Sequence, residues 1–164
     1  MIAILHADRR YGIGKKNGLM FRLPLDMKFF RQTTQGKVVV MGYNTLLSLP
    51  GGQPLKNRTN VVLCDKDVSV PGCIMARSVD ELLKITDGYA PDDVFVIGGA
   101  SVYKTLLPYC DKVLLTKVDA DGDADVFFPN LDENNDFYLE SQSEPIDDNG
   151  YTIRFTVYKR RKQH

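Results

Sequence analysis

Val94-Phe95-Val96-Ile97-Gly98-Gly99-Ala100-Ser101-Val102-Tyr103 is the stretch that decides the fold. Four apolar strand formers in an unbroken run fit a strand covered on both faces, because a strand with one wet face alternates apolar with polar residues. Two glycines stop the run, and a helical pattern over Ser101–Leu107 follows until Pro108. The same joint recurs where Val38-Val39-Val40-Met41-Gly42 runs into Tyr43–Leu47. A buried strand feeding a helix through a glycine turn is the repeating unit of a parallel α/β sheet. Met1–Leu5 and Asn60–Leu63 supply two further apolar runs. Helices are expected over Leu25–Gln35, after Pro24, and over Ser78–Ile85. In the latter Ser78 is the N-cap, and Asp80 and Glu81 sit in the first turn, where the helix dipole favours acids.

The last third of the chain changes character. Lys112–Val118, Phe137–Ser143 and Tyr151–Arg160 read as strands, and Ile153, Phe155 and Val157 alternate with Thr152, Arg154 and Thr156 as in a half-buried strand. Asp147-Asp148-Asn149-Gly150 holds residues that tolerate positive φ, so Phe137–Arg160 is expected to be a hairpin. The whole is then a mostly parallel α/β sheet with antiparallel strands added at the C-terminal end.

With 164 residues, 43% hydrophobic and 26% charged, the chain fits a single domain. Twenty-one basic residues balance 21 acidic ones, which argues against nucleic acid or an anionic membrane as partner. The basic end, Lys159–His164, is expected to be a frayed, solvated tail. The apolar runs are too short for a spanning helix, and Asp8 interrupts any secretory h-region, so a cytoplasmic location is expected. Cys64, Cys73 and Cys110 form no C-x-x-C pair and are expected to be buried packing residues.

Three segments can carry chemistry. The two strand–glycine–helix joints suit a phosphate, since bare backbone permits close approach and a helix N-terminus attracts negative charge. Two of them in one sheet can grip a dinucleotide at the carboxyl edge of the strands. In Leu23-Pro24-Leu25-Asp26-Met27-Lys28-Phe29-Phe30, helical spacing aligns Asp26 with Phe30 and Thr33. An acid among apolar side chains is costly unless used, and it can accept two hydrogen bonds from an amidine-like heterocycle edge. Arg58 precedes a strand and can clamp a carboxylate, although such an arginine is more often simply solvated. His6 lacks metal-ligand neighbours and reads as a core histidine. The acidic run Asp119–Asp125 has its glycine in the wrong place for an EF-hand and reads as a surface loop.

Taken in order, these segments resemble the dihydrofolate reductase family, of the bacterial, monomeric chromosomal type. The resemblance covers nearly the whole chain. It rests on Gly12-Ile13-Gly14-x-x-Asn17-Gly18, Leu23-Pro24-x-Asp26-x-x-x-Phe30, Val40-Met41-Gly42-x-x-Thr45, Pro54-Leu55-x-x-Arg58, Val96-Ile97-Gly98-Gly99-x-x-x-Tyr103, Leu115-Thr116-x-x-x-Ala120 and Asp125-x-x-Phe128-Pro129. It implies one domain over residues 1–164, with an eight-stranded, mostly parallel sheet and helices on both faces. It also implies NADPH as cofactor and 7,8-dihydrofolate as substrate, with hydride passing from nicotinamide C4 to pterin C6. Asp26 would hold the pterin amidine edge and promote N5 protonation, with Thr116 as its hydroxyl partner. Phe30 and Leu55 would sandwich the rings, with Leu5, His6 and Ile97 beside them, and Arg58 would clamp the glutamate carboxylate. Backbone at His6 and Ile13 would bind the carboxamide. Gly42, Thr45 and the Gly98–Tyr103 joint, including Ala100, Ser101 and Val102, would cradle the diphosphate, with a cis peptide between Gly98 and Gly99. Gly14, Leu19, Tyr43, Asn44, Leu63, Cys64, Asp65, Arg77 and Ile97 would line the rest of the cofactor, and Gly14–Met20 would form a mobile lid.

The departures from the family pattern are specific. Met20-Phe21 stands where the family has Pro-Trp, and His6 where it has Ala. Tyr43, Asn44, Asp65 and Ser101 stand where the partners of the cofactor's 2′-phosphate belong, which implies a weakened preference for NADPH and makes NADH a possible cofactor. Lys66 or Arg77 are the candidate substitutes. The rival readings are a reductase of the same fold acting on a heterocycle without a glutamyl tail, as in the pyrimidine reductases, and a folate- or nucleotide-binding protein with impaired turnover.

Overall fold

The structure is a computed structural model and describes residues 1–16 and 19–162. Among the described residues, eleven strands, four α-helices and three short 3-10 turns follow one another. Six strands run parallel in the order β7 (Lys112–Val118), β1 (Ile2–Ala7), β6 (Val94–Gly98), β3 (Val38–Gly42), β4 (Thr59–Leu63), β5 (Cys73–Ala76). Antiparallel β11 (Tyr151–Arg160) lies against β7, and its outer edge carries β10 (Ile146–Asp148) along its first part and β9 (Phe137–Gln142) along its last. The nine strands of the sheet thus occupy eight positions, because β9 and β10 share one. The expected hairpin is present with its first strand broken in two. Its turn is the anticipated one: Asn149 and Gly150 both have positive φ between paired Asp148 and Tyr151, as a two-residue type I′ turn requires.

Continuous apolar runs bury both faces of the parallel strands. Val38, Val40, Val61, Val94 and Val96 point to one side with Leu82 of α3 (Val79–Thr86) and with Val102 and Leu106 of α4 (Ala100–Leu106). Val39, Met41 and Val62 point to the other with Leu46 of α2 (Tyr43–Ser48). Next to them Ile2, Ile4 and Phe95 receive Phe29 and Phe30 of α1 (Pro24–Thr34). Alternating residues of each run therefore serve opposite helix layers, which is why the sequence shows no alternation. Ser78 caps α3 by accepting the Glu81 N–H at 3.1 Å, as expected.

Some expectations need correction. β5 reads poorly because it is an edge strand of mixed burial, and Cys73 within it is half-exposed rather than buried. A small ribbon of β2 (Gly12–Gly14) and β8 (Val126–Phe127) is too short to show a period. The basic end is ordered further than a frayed tail allows. Lys159 pairs with Glu140 at 2.7 Å, and the Arg160 guanidinium donates to the Cys110 and Leu107 carbonyls. Gln163 and His164 lie outside the described residues, as do Asn17 and Gly18 of the glycine motif.

Candidate active site

Parallel strands end together, so β1, β3, β4, β6 and β7 bring His6, Gly42, Leu63, Gly98 and Thr116 to the same carboxyl edge. Asp26 reaches this edge from the first turn of α1. That helix has no side-chain cap of its own at Leu23. Its first amides are taken instead by Asp148, buried at 2% exposure, whose two oxygens accept the Leu25 and Asp26 N–H groups at 3.0 Å each. The Asp26 side chain is then fixed at both oxygens. The Thr116 hydroxyl donates to Oδ1 at 2.7 Å, and His6 Nδ1 lies 3.2 Å from Oδ2. The expected pairing of Asp26 with Thr116 is present, and His6 has a partner the sequence reading did not foresee.

Arg58 stands against the opposite end of α1. Its guanidinium donates to the Arg31 carbonyl at 2.7 Å, to Thr34 Oγ1 at 3.2 Å and to the Lys56 carbonyl at 2.7 Å. Arg58 is thus a docked residue and not a freely solvated one. Three of its five N–H donors are used, which leaves one on each Nη for a carboxylate. Burial, and after it the neighbouring Arg31 charge, pushes the guanidinium down from its ordinary value. From Asp26 to Arg31 and Thr34 is five to eight residues, or roughly 8–12 Å along the helix. Phe30 and Leu55 belong to the apolar clusters on this side, and Ile97 packs against both of those clusters. Leu5 instead borders the cluster on the other face of the sheet.

The second group of residues surrounds the two glycine joints. β3 and β6 are neighbours, with Met41 beside Gly98, so the N-termini of α2 and α4 lie side by side. The Gly98–Gly99 peptide is cis, as the resemblance implies. A Cβ on Gly98 or Gly99 would stand 3.4 or 3.3 Å from Thr45 Oγ1, and one on Gly42 would meet Val102 at 3.0 Å. Bare backbone and one hydroxyl thus converge on a cradle that any side chain would fill, which fits a diphosphate. Tyr103 is buried and its hydroxyl donates to the Ile4 carbonyl at 2.8 Å; burial pushes the phenol well up, so it acts as a strut between α4 and β1. Ala100 and Ser101 line a cavity of about 380 Å³ with Lys104, a cation that the sequence reading passed over.

At the end of β4, half-buried Leu63 and buried Cys64 lead to exposed Asp65, the residues expected along the cofactor. Arg77 bends back over this loop, donating to the Lys66 carbonyl, with Asp67 at 3.8 Å. Tyr43 is half-buried and Asn44 exposed at the start of α2.

The described parts of the expected lid are anchored at its base. Asp8, 4% exposed, accepts the N–H groups of Arg10, Gly12 and Gly122. The acidic loop is tied to the same segment: Arg9 pairs with Asp119, Arg10 with Asp121 and Lys15 with Asp123, while the Lys16 N–H donates to Asp125. Gly122 is where the two segments touch, since a Cβ there would sit 2.7 Å from Met20 Sδ and 2.9 Å from Phe21. Ile13 packs against the core edge, Gly14 is buried, and Leu19 stands 70% exposed.

An α/β sheet whose carboxyl edge combines two glycine joints with a largely buried acid beside them places the molecule among the open α/β architectures that take their ligands at the carboxyl ends of the strands. Comparison with known proteins narrows this. A sequence profile described as dihydrofolate reductase matches residues 1–160, and the chain belongs to that family. It is 36% identical to the dihydrofolate reductase of Bacillus subtilis over 164 residues, covering 98% of this chain and 95% of that one. It is 35% identical to the Haemophilus influenzae enzyme, covering 91% of each. Among solved structures, the Enterococcus faecalis dihydrofolate reductase complexed with NADP(H) superposes with a TM-score of 0.87 at 33% identity, covering 98% of this chain and 96% of that one.

Proposed function

We infer that the protein reduces 7,8-dihydrofolate to 5,6,7,8-tetrahydrofolate with NADPH. The observation that carries this reading is the placement of Asp26 and Arg58 at opposite ends of α1. An acid for a flat amidine edge and a guanidinium for a carboxylate are separated by the length of an aryl-glutamate. A heterocycle without that tail leaves Arg58 without a task, which disfavours the pyrimidine reductases. Asp26 accepts hydrogen bonds from the pterin edge and keeps negative charge next to the ring, which favours a proton at N5. Thr116 holds Oδ1 of that carboxylate. Phe30 and Leu55 give the rings an apolar bed that excludes water. Gly42, Thr45 and the Gly98–Tyr103 joint would hold the cofactor diphosphate, with His6 and Ile13 offering main-chain groups to the carboxamide. When bound, NADPH supplies the hydride that pterin C6 receives.

The 2′-phosphate site is weak for an enzyme of this kind, because Tyr43, Asn44, Asp65 and Ser101 bring no positive charge to it. Each charge-assisted hydrogen bond contributes about 1.5–3 kcal/mol, so two missing ones lower affinity on the order of a hundredfold. The expected preference for NADPH over NADH is therefore below about a hundredfold. Steady-state assays with dihydrofolate, following reduced nicotinamide by absorbance, test both points. Tight dihydrofolate binding without turnover would favour a binding protein. A preference above a hundredfold would show that Arg77 or Lys66 has taken over the phosphate. A formal net charge of zero supports small molecules rather than nucleic acid as partners, and a monomer in the cytoplasm is part of this reading. No helix among the described residues is long and apolar enough to cross a membrane.

A further inference from the structure

The His6 side chain has no task in the reaction as described, which uses only its main chain. On β1 and β7, His6 and Thr116 are register partners, so their side chains leave the sheet on the same face. Asp26 meets both: Thr116 on Oδ1 and His6 Nδ1 on Oδ2. The backbone of Asp26 is held separately by Asp148. The His6 and Asp26 side chains are 9% and 13% exposed, so solvent does little to dilute their contact. Nε2 of His6 is buried with no hydrogen-bond partner among the described residues, which makes Asp26 the ring's one polar contact. An imidazole nitrogen facing a carboxylate carries the proton, since two lone pairs would repel, so Nδ1–H donates to Oδ2.

We propose that His6 is a positioning residue that, with Thr116, fixes the plane of the Asp26 carboxylate before the heterocycle arrives. This rests on the reading of Asp26 as the acceptor for the pterin edge. A carboxylate offers about four lone-pair sites. Thr116 and His6 take one on each oxygen, leaving one on each for a planar edge with two N–H donors. Thr116 alone would be a single pivot about which the carboxylate turns; the second donor removes that freedom and so lowers the ordering cost of binding.

The test compares His6→Ala, His6→Asn and His6→Gln, each alone, and His6→Ala also combined with Asp26→Asn. Binding of folate, an unreduced pterin, is measured by calorimetry beside kcat and KM for dihydrofolate. His6→Ala is expected to weaken folate binding and raise KM about tenfold, from loss of one charge-assisted hydrogen bond, with a smaller change in kcat. His6→Asn, whose amide N–H falls near the place of Nδ1, is expected to recover most of that loss, whereas His6→Gln, whose amide falls near Nε2, is not. In the Asp26→Asn background His6→Ala should have a much smaller effect, because the charge and one of the two acceptor oxygens are gone. Should the alanine variant fail to fold, His6→Gln against His6→Asn makes the same comparison. Unchanged folate affinity in His6→Ala, no better binding by His6→Asn than by His6→Gln, or an undiminished effect in the Asp26→Asn background overturns the proposal. A wild-type chain that does not bind folate overturns the reading of the site, and the proposal with it.

Discussion

Asp26 is available to a ligand because other residues hold everything about it except the lone pairs the ligand needs. Thr116 and His6 each take part of one oxygen, and Asp148 takes the amide. Replacing the carboxylate by an amide of the same shape sets an N–H group against an N–H donor of the heterocycle and removes the charge. Asp26→Asn is therefore expected to lower kcat/KM for dihydrofolate about a hundredfold or more, from roughly 3 kcal/mol of lost charge-assisted bonding. Steady-state assays measure this, and retention of full activity would remove Asp26 from the mechanism. Helical spacing made Asp26 and Phe30 legible in the sequence, because both lie on one α1 face. Residue patterns alone read Arg58 as a solvated cation, since two of its three acceptors lie on Arg31 and Thr34 of another element. His6 was legible only as a buried ring; its partner is 20 residues away and no local pattern links them.

The C-terminal turn shows how a correctly read element can conceal its function. Asp-Asn-Gly chemistry predicts the reversal between β10 and β11, and the reversal is there. Sequence does not show that the turn docks on the entrance to α1, where Asp148 takes two amides and Asn149 donates to the Arg22 carbonyl at 3.0 Å. α1 begins at Pro24 after an uncapped Leu23, so the hairpin supplies the cap and the negative charge that the helix N-terminus favours. Removing a cap generally costs 0.5–2 kcal/mol, and hydrogen bonds to a charged group contribute more than that. Asp148→Ala is expected to destabilise the protein by about 2–3 kcal/mol in urea titrations and to raise KM for dihydrofolate several-fold, since the first turn of α1 carries Asp26. Unchanged stability would mean that Pro24 and packing alone hold the helix start. Glycine joints, in contrast, were legible at once: a run of β-formers ending in glycine and followed by helix formers describes both the elements and the cradle between them.

Strand order is the part of the architecture that a single sequence leaves open, because it depends on which apolar faces meet. It has chemical consequences: β1 lies between β6 and β7, so His6 is placed beside Thr116 and near the Gly98-Gly99 joint. On the other side of the chain's path, Asp132 links three parts of the molecule, accepting from Tyr11 before β2, Lys117 of β7 and Tyr158 of β11. Burial works to raise its carboxyl, but the hydrogen bonds from Tyr158, Lys117 and Tyr11 and the Lys117 charge outweigh burial and hold it below the ordinary 3.8. Burial is likewise the main cause that pushes the Tyr11 phenol up to about 12, so the tyrosine remains a donor throughout the physiological range. Because the unfolded chain takes up a proton here at higher pH than the folded one, stability rises with pH through the window around and below 3.8. The contribution is complete above that window and disappears as pH falls through the folded value. Asp132→Asn should therefore lower the urea midpoint at about pH 6, with the gap to the unsubstituted protein narrowing toward about pH 3. The side chain is half-exposed and screened, so the shift is modest, and its pH dependence is the discriminating measurement. A gap that stays constant between those two conditions would show that Asp132 stabilises the fold by packing and not by its charge.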